Sequence, residues 1–91
     1  MVYAAVIMDI VGSRRVKERE RLQKLLQSYI DEVNERYRIV LSAPISITAG
    51  DEWQLLTDSP GEAYRLTHEF QRLFWSEGLE IYAGIGVGTL S

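Results

Sequence analysis

The chain has 91 residues, 46% of them hydrophobic and 25% charged, with a formal net charge of −3; that suffices for one domain with one modest core and not for two. No run approaches the roughly 18 apolar residues that a membrane helix needs, and the N-terminal apolar stretch contains Asp9 without a basic flank before it, so neither a membrane span nor a signal peptide is expected. The absence of cysteine excludes a disulfide framework or thiolate metal site and makes the cytoplasm the expected compartment, while the negative balance argues against direct nucleic-acid binding.

Residues 2 to 10 read as a strand rich in Val and Ile, apolar on both faces in the manner of a central strand covered on both sides. Asp9 is the one charge in that run, and Gly12-Ser13 break it. Five of the ten Lys and Arg residues (Arg14, Arg15, Lys17, Arg19 and Arg21) follow within positions 14 to 21, so any anion site is expected there. From about 17 to 37, Leu22, Leu25, Leu26, Tyr29, Ile30, Val33 and Tyr37 recur at steps of three and four. This predicts an amphipathic helix.

Ile45, Ile47 and Ala49 alternate with Ser46 and Thr48, the pattern of a half-buried strand. Gly50-Asp51 is a turn signal, and a third strand is expected from about Trp53 to Thr57, which makes a hairpin with Gly50, Asp51 and Glu52 near its tip. Ser59 as cap, Pro60 in the first turn and Glu62 closing a capping box predict the start of a second helix. Its inward face should be Ala63, Leu66, Thr67, Phe70, Leu73 and Phe74, with Gly78 at its C-cap. His68 lies off that face and reads as a surface residue. Trp53, Phe70, Phe74 and Trp75 are assigned to core or interface, since no basic run joins them into a base-stacking platform.

The last strand is expected from Glu80 to about Val87. Gly84, Gly86 and Gly88 alternate with Ile85 and Val87 and so share one face. Glycine weakens a strand and often marks close approach of a backbone or ligand; room for bulky side chains from a helix or partner chain is the equal alternative.

The element order is β-α-β-β-α-β, which predicts an α+β, ferredoxin-like fold: a four-stranded antiparallel sheet with both helices on one face. The strands should run in the order fourth, first, third, second. The end of the first strand, with Asp9, then lies beside the start of the third, with Asp51. Two close carboxylates repel unless a cation pairs with them, and hard ions such as Mg²⁺ (or Mn²⁺) are held by one or two carboxylates together with substrate phosphates. Asp9 and Asp51 are the candidate metal ligands, with the Ile10 carbonyl beside them and Glu52 as a weaker fourth. The Gly12-Ser13 turn precedes a helix whose first amides can hold phosphate oxygens. Arg14 and Arg15 sit where the helix dipole disfavours cations, a second pointer to a bound anion. Because the helices cover only one face of a strand that is apolar on both, the other face is expected to be covered by a second copy in a two-fold homodimer.

These motifs also carry a resemblance. "MDIVGS" resembles the first metal-binding motif of class III nucleotidyl cyclases, and "AGDEW" resembles both the cyclase Gly-Asp hairpin and the GGDEF hairpin of diguanylate cyclases. "YAGIGVGTL" is similar to the glycine-rich cyclase strand. Together, "DIVGSR", "GDEWQLL" and "GIGVG" look most like the SatD family, whose N-terminal part is cyclase-like. The resemblance implies a cyclase palm in which Asp9 and Asp51 match the metal-binding aspartates, Ile10 the backbone ligand and Gly12-Ser13 the phosphate turn. Glu52 matches the second acidic position of the GGDEF hairpin, while Trp53 replaces its Phe and Ala49 its first Gly. It implies a nucleoside triphosphate or related polyphosphate as ligand, a dimer, and phosphoryl transfer as the chemistry of a complete form. Cyclase residues that recognise the base and stabilise the transition state follow the glycine-rich strand, so residues 1 to 91 are expected to be one truncated, catalytically incomplete domain. The alternative is a non-catalytic dimerisation or regulatory module of a SatD-like, transcription-associated or stress-response protein.

Overall fold

The computed structural model describes residues 1–12 and 19–89; the expected phosphate contacts Ser13, Arg14 and Arg15 lie outside the described residues. Six elements follow in the expected order: β1 (Val2–Ile10), α1 (Arg19–Arg36), β2 (Ser46–Ala49), β3 (Glu52–Thr57), α2 (Glu62–Trp75) and β4 (Ile81–Thr89). They build a four-stranded sheet in the order β2-β3-β1-β4, with every neighbouring pair antiparallel. This is the ferredoxin-like plan, two βαβ units interleaved so that β1 and β3 share the centre.

Alternation along β1 decides which side chains meet the helices. Ala4, Val6, Met8 and Ile10 are buried, whereas Ala5, Ile7 and Asp9 are exposed and Tyr3 is half-buried. Across the sheet Met8 faces Trp53 and Val6 faces Leu55, both of them buried. The helices close this layer with Leu22, Leu26, Ile30 and Val33 from α1 and with all six expected inward residues of α2. Trp53 packs against Phe70 and Phe74 at ring-centroid distances of 5.4 and 5.5 Å, and Tyr29 meets Phe74 edge-on at 5.0 Å. Trp75, the other tryptophan, is exposed at the end of α2.

Within the chain only the even-numbered face of β1 is packed, among the described residues; the odd-numbered face is the one expected to meet a second copy. Three local expectations are corrected. β2 is not half-buried. All four residues of this edge strand are exposed, since of the alternating residues only Ile45, just before it, reaches the core, and its pairing with β3 shifts register between Ile47 and Ala49. The capping box on α2 does not form: Gly61 occupies the N-cap with no side-chain cap bond. The Ser59 amide donates instead to Thr57 Oγ1 at 3.0 Å, which places Ser59 in a preceding turn whose carbonyl accepts from the Glu62 amide. Gly78 is not the C-cap of α2: Ser76 takes that position, and Gly78, with φ of 74°, closes the turn that follows, its amide donating to the Trp75 carbonyl.

Two polar clamps hold the layers in register. Asn34 on α1 accepts from the Ile45 amide at 2.7 Å and donates to the Ile45 carbonyl at 3.3 Å, which pins the segment entering β2. Glu69 on α2 accepts from Arg36 of α1 at 2.8 Å and from Arg72 of its own helix. The bond from Arg72, with the charge of Arg36 beside it, holds the Glu69 carboxyl below the usual carboxylate range.

Asn34→Ala should cost about 1–3 kcal/mol, because it strips the side-chain partner from both the amide and the carbonyl of buried Ile45; urea unfolding would measure it. Since the Glu69 carboxyl titrates lower folded than unfolded, its contribution is full above the ordinary Glu value and is lost as pH falls through the depressed one. Glu69→Gln should therefore flatten the acid limb of a plot of unfolding midpoint against pH, leaving the neutral-to-alkaline part parallel to wild type.

Candidate functional site

The candidate residues gather where β1 ends and β3 begins. The register sets Asp9 directly opposite Glu52 on one side and Tyr82 on the other, so Asp51 is one residue from the cross-strand partner of Asp9. The 42-position separation of the two aspartates in sequence collapses to a neighbouring position across the sheet. Ile10 anchors this end in the core, where it is buried and paired with Ile81. The Val11 amide then donates to the Glu80 carbonyl at 2.9 Å, and Gly12 turns the chain out of the sheet with φ of 69°. That left-handed conformation is costly for any residue with a Cβ.

The carboxylates occupy different environments. Asp9 follows the odd parity of β1 and lies exposed on the face away from the helices. Its neighbour Glu52 is half-buried, and its Oε2 accepts from the Thr48 hydroxyl at 2.8 Å across the hairpin. Like charges directly opposite one another on a sheet are destabilising. Asp51 sits in the two-residue link between β2 and β3, next to Gly50 at φ of 54°, and is only 8% exposed. One of its oxygens, Oδ2, meets Arg19 at the start of α1 at 3.4 Å. The other, Oδ1, is buried and has no hydrogen-bond partner among the described residues.

A buried carboxylate oxygen without a donor costs free energy that a partner would recover. Oxygen of this kind is what a hard divalent cation binds. Among the described residues no three His, Cys, Asp or Glu side chains form a metal-holding group, so Asp9, Asp51 and Glu52 do not converge as a trio. Mg²⁺ is commonly held through one or two protein carboxylates, with phosphates and waters completing the shell, and the buried, unpartnered Asp51 Oδ1 is an oxygen of the kind such a shell uses. An open groove of about 470 Å³ flanks the hairpin between α1 and Ile47-Gly50, lined also by Glu20, Gln23, Lys24 and Gln27.

Sequence reasoning placed Arg19 in a basic cluster but did not find its acidic partner, 32 residues away. Nor did it find the Thr48–Glu52 contact. Gly84, Gly86 and Gly88 lie on the same open face as Asp9, opposite Ile7, Ala5 and Tyr3. A Cβ built on any of the three would meet nothing within 4 Å, so no contact among the described residues requires them to be glycine.

The architecture is shared with nucleotide cyclases. The adenylyl cyclase CyaB from P. aeruginosa superposes with a TM-score of 0.65 at 21% identity, over 96% of this chain and 56% of the cyclase chain. The guanylate cyclase domain of RhGC from Catenaria anguillulae, solved in complex with GTP, superposes with a TM-score of 0.62 at 17% identity, over 99% and 60% respectively. The chain thus spans little more than half the length of these relatives, and at such identity the likeness establishes the fold. No curated protein matches the sequence. The SatD family model matches residues 3–91, and the chain belongs to the SatD family.

Proposed function

We propose that this chain is a cyclase-type domain that binds a nucleoside triphosphate, or a related polyphosphate, in a Mg²⁺-dependent manner. The observation that carries the reading is the Asp51 carboxylate, buried with one oxygen unpartnered among the described residues, beside the cross-strand pair Asp9–Glu52. Three acidic residues at one sheet end, against the single described cation Arg19 in contact with Asp51, favour a divalent ion there. Asp9 and Asp51 would hold it, with the Ile10 carbonyl adjacent and Glu52 contributing at most through its free oxygen. Mg²⁺ (or Mn²⁺) would supply charge neutralisation of the phosphates and, in a complete form, polarisation of the α-phosphate for phosphoryl transfer. Gly12, Ser13, Arg14 and Arg15 are assigned to the phosphate oxygens. The ligand contacts proposed here do not include groups for recognising a base or stabilising a transition state, so binding without turnover is the activity assigned to these 91 residues. The cysteine-free sequence supports a cytoplasmic location.

Self-association with a second copy belongs to the same reading. A non-catalytic dimerisation or regulatory module remains the second one, favoured by the glycine face that no contact among the described residues explains.

Calorimetric titration of ATP and GTP, with and without Mg²⁺, tests the first reading. Asp9→Ala and Asp51→Asn should each abolish Mg²⁺-dependent binding, whereas Arg14→Ala should weaken it only in part. Asp9→Ala should leave stability unchanged or slightly raised, since the like-charge contact with Glu52 is relieved. Nucleotide affinity unchanged in a folded Asp9→Ala protein would sink the metal assignment.

A further inference from the structure

The two edges of the sheet are built differently. β2 is four residues long and its ladder is interrupted by a register shift, both devices that keep an edge from pairing with another chain. β4 has neither. It runs nine residues in unbroken register with β1, contains no charged residue and no proline, and among the described residues pairs on one side only. Alternate residues of such an edge aim their amides and carbonyls outward, leaving about eight to ten unpaired backbone groups along it.

The side chains on this strand are equally uncovered. Ile81, Ala83, Ile85 and Val87 share the helix side, as their partners Ile10, Met8, Val6 and Ala4 show. The helix layer nevertheless buries only Ile81 and half of Ile85. Val87 remains 62% exposed, and Tyr82 on the open face 68% exposed.

We propose that the free edge of β4 pairs antiparallel with β4 of a second copy, about a two-fold axis through Ile85. This rests on the reading of the chain as self-associating and names the surface that does it. Antiparallel partners must share a face, so only residues of like parity can stand opposite. Centring on Ile85 is the register that uses all nine residues of both strands. It sets the exposed Tyr82 of one copy over Gly88 of the other, and the exposed Val87 of one over Ala83 of the other, large against small on both faces. Gly84 stands opposite Gly86, so no side chains crowd the join. A two-fold axis brings each charge near its own image, and a strand with none avoids that repulsion. The product is one eight-stranded sheet with all four helices on one side. The Asp9 ends lie at opposite ends of the seam, so pairing does not require the ligand.

Sedimentation velocity over a concentration series, without nucleotide or Mg²⁺, tests this together with variants whose folding is followed by circular dichroism. Wild type should dimerise. Val87→Lys, a charge placed on an exposed edge position, should remain folded and monomeric throughout the series. Ile7→Lys, on the open face of the central strand, should dimerise like wild type. In a protein otherwise free of cysteine, the Ala83→Cys/Val87→Cys double variant should form an intermolecular disulfide on oxidation, and Ala83→Cys alone should not. A wild-type dimer that survives Val87→Lys, or that Ile7→Lys dissociates, overturns the edge and leaves self-association standing through the open face. A wild-type monomer overturns both. A monomer whose β4 amides still resist hydrogen exchange assigns the edge to another strand of the same chain, and overturns the proposal as well.

Discussion

The register of β1 against β3 is the constraint on which the rest depends. Met8 opposite Trp53 and Val6 opposite Leu55 commit the even positions of β1 to the helix layer. A slip of one residue would turn every side chain to the other face, driving Asp9 into the core and Met8 into water. The burial of large apolar side chains therefore also fixes where the charge goes. Asp9 stands on the open face because four residues of its own strand require the other one. Hydrophobic packing, with no sequence specificity of its own for a ligand, positions the acidic end of the sheet.

That same packing is one-sided. Two helices over a four-stranded sheet produce a dry layer and a bare one, and the chain treats the layers differently. The dry layer holds the aromatic cluster of Trp53, Phe70 and Phe74, cross-tied by Glu69 between two arginines. The bare layer holds Asp9, Glu52, Tyr82 and three glycines. Stability resides in one and accessible chemistry in the other, while Asp51 sits at the boundary, buried under α1 yet one residue from the open face.

Legibility in the sequence followed the range of the signal. The inward face of α2 could be read residue by residue because a 3.6-residue period is local and strong, and the strand order followed from the βαββαβ pattern. The alternation of Ile45, Ile47 and Ala49 was also real, but a period of two says which residues share a face and not whether anything covers it. The Ser59 capping signal was local too, and lost to the Thr57 hydroxyl, which took the Ser59 amide first. Asn34 and Arg19 were beyond reach for a different reason: each acts on a partner far along the chain, and a polar residue on a helix carries no mark of the distant group it will meet. At the site, the meeting of β1's end with β3's start was readable from topology. The unequal burial of Asp9 and Asp51 was not: Asp9 follows the exposed parity of β1, whereas Asp51 lies in a turn and meets Arg19, a partner 32 positions away that no local pattern marks.

Trp53 carries a consequence of its own. It is fully buried two residues after Asp51, stacked on α2, with an indole N–H that has no partner among the described residues. Trp75, the residue after Phe74 on that helix, is 56% exposed. The chain therefore contains two chromophores at the same end of the fold in opposed surroundings, one in the core and one open to water. The buried indole sits where quenchers in water do not reach, and the exposed one is accessible to them. Loosening of the hairpin would be visible as a gain of quencher access by the buried component of the fluorescence, with no label introduced.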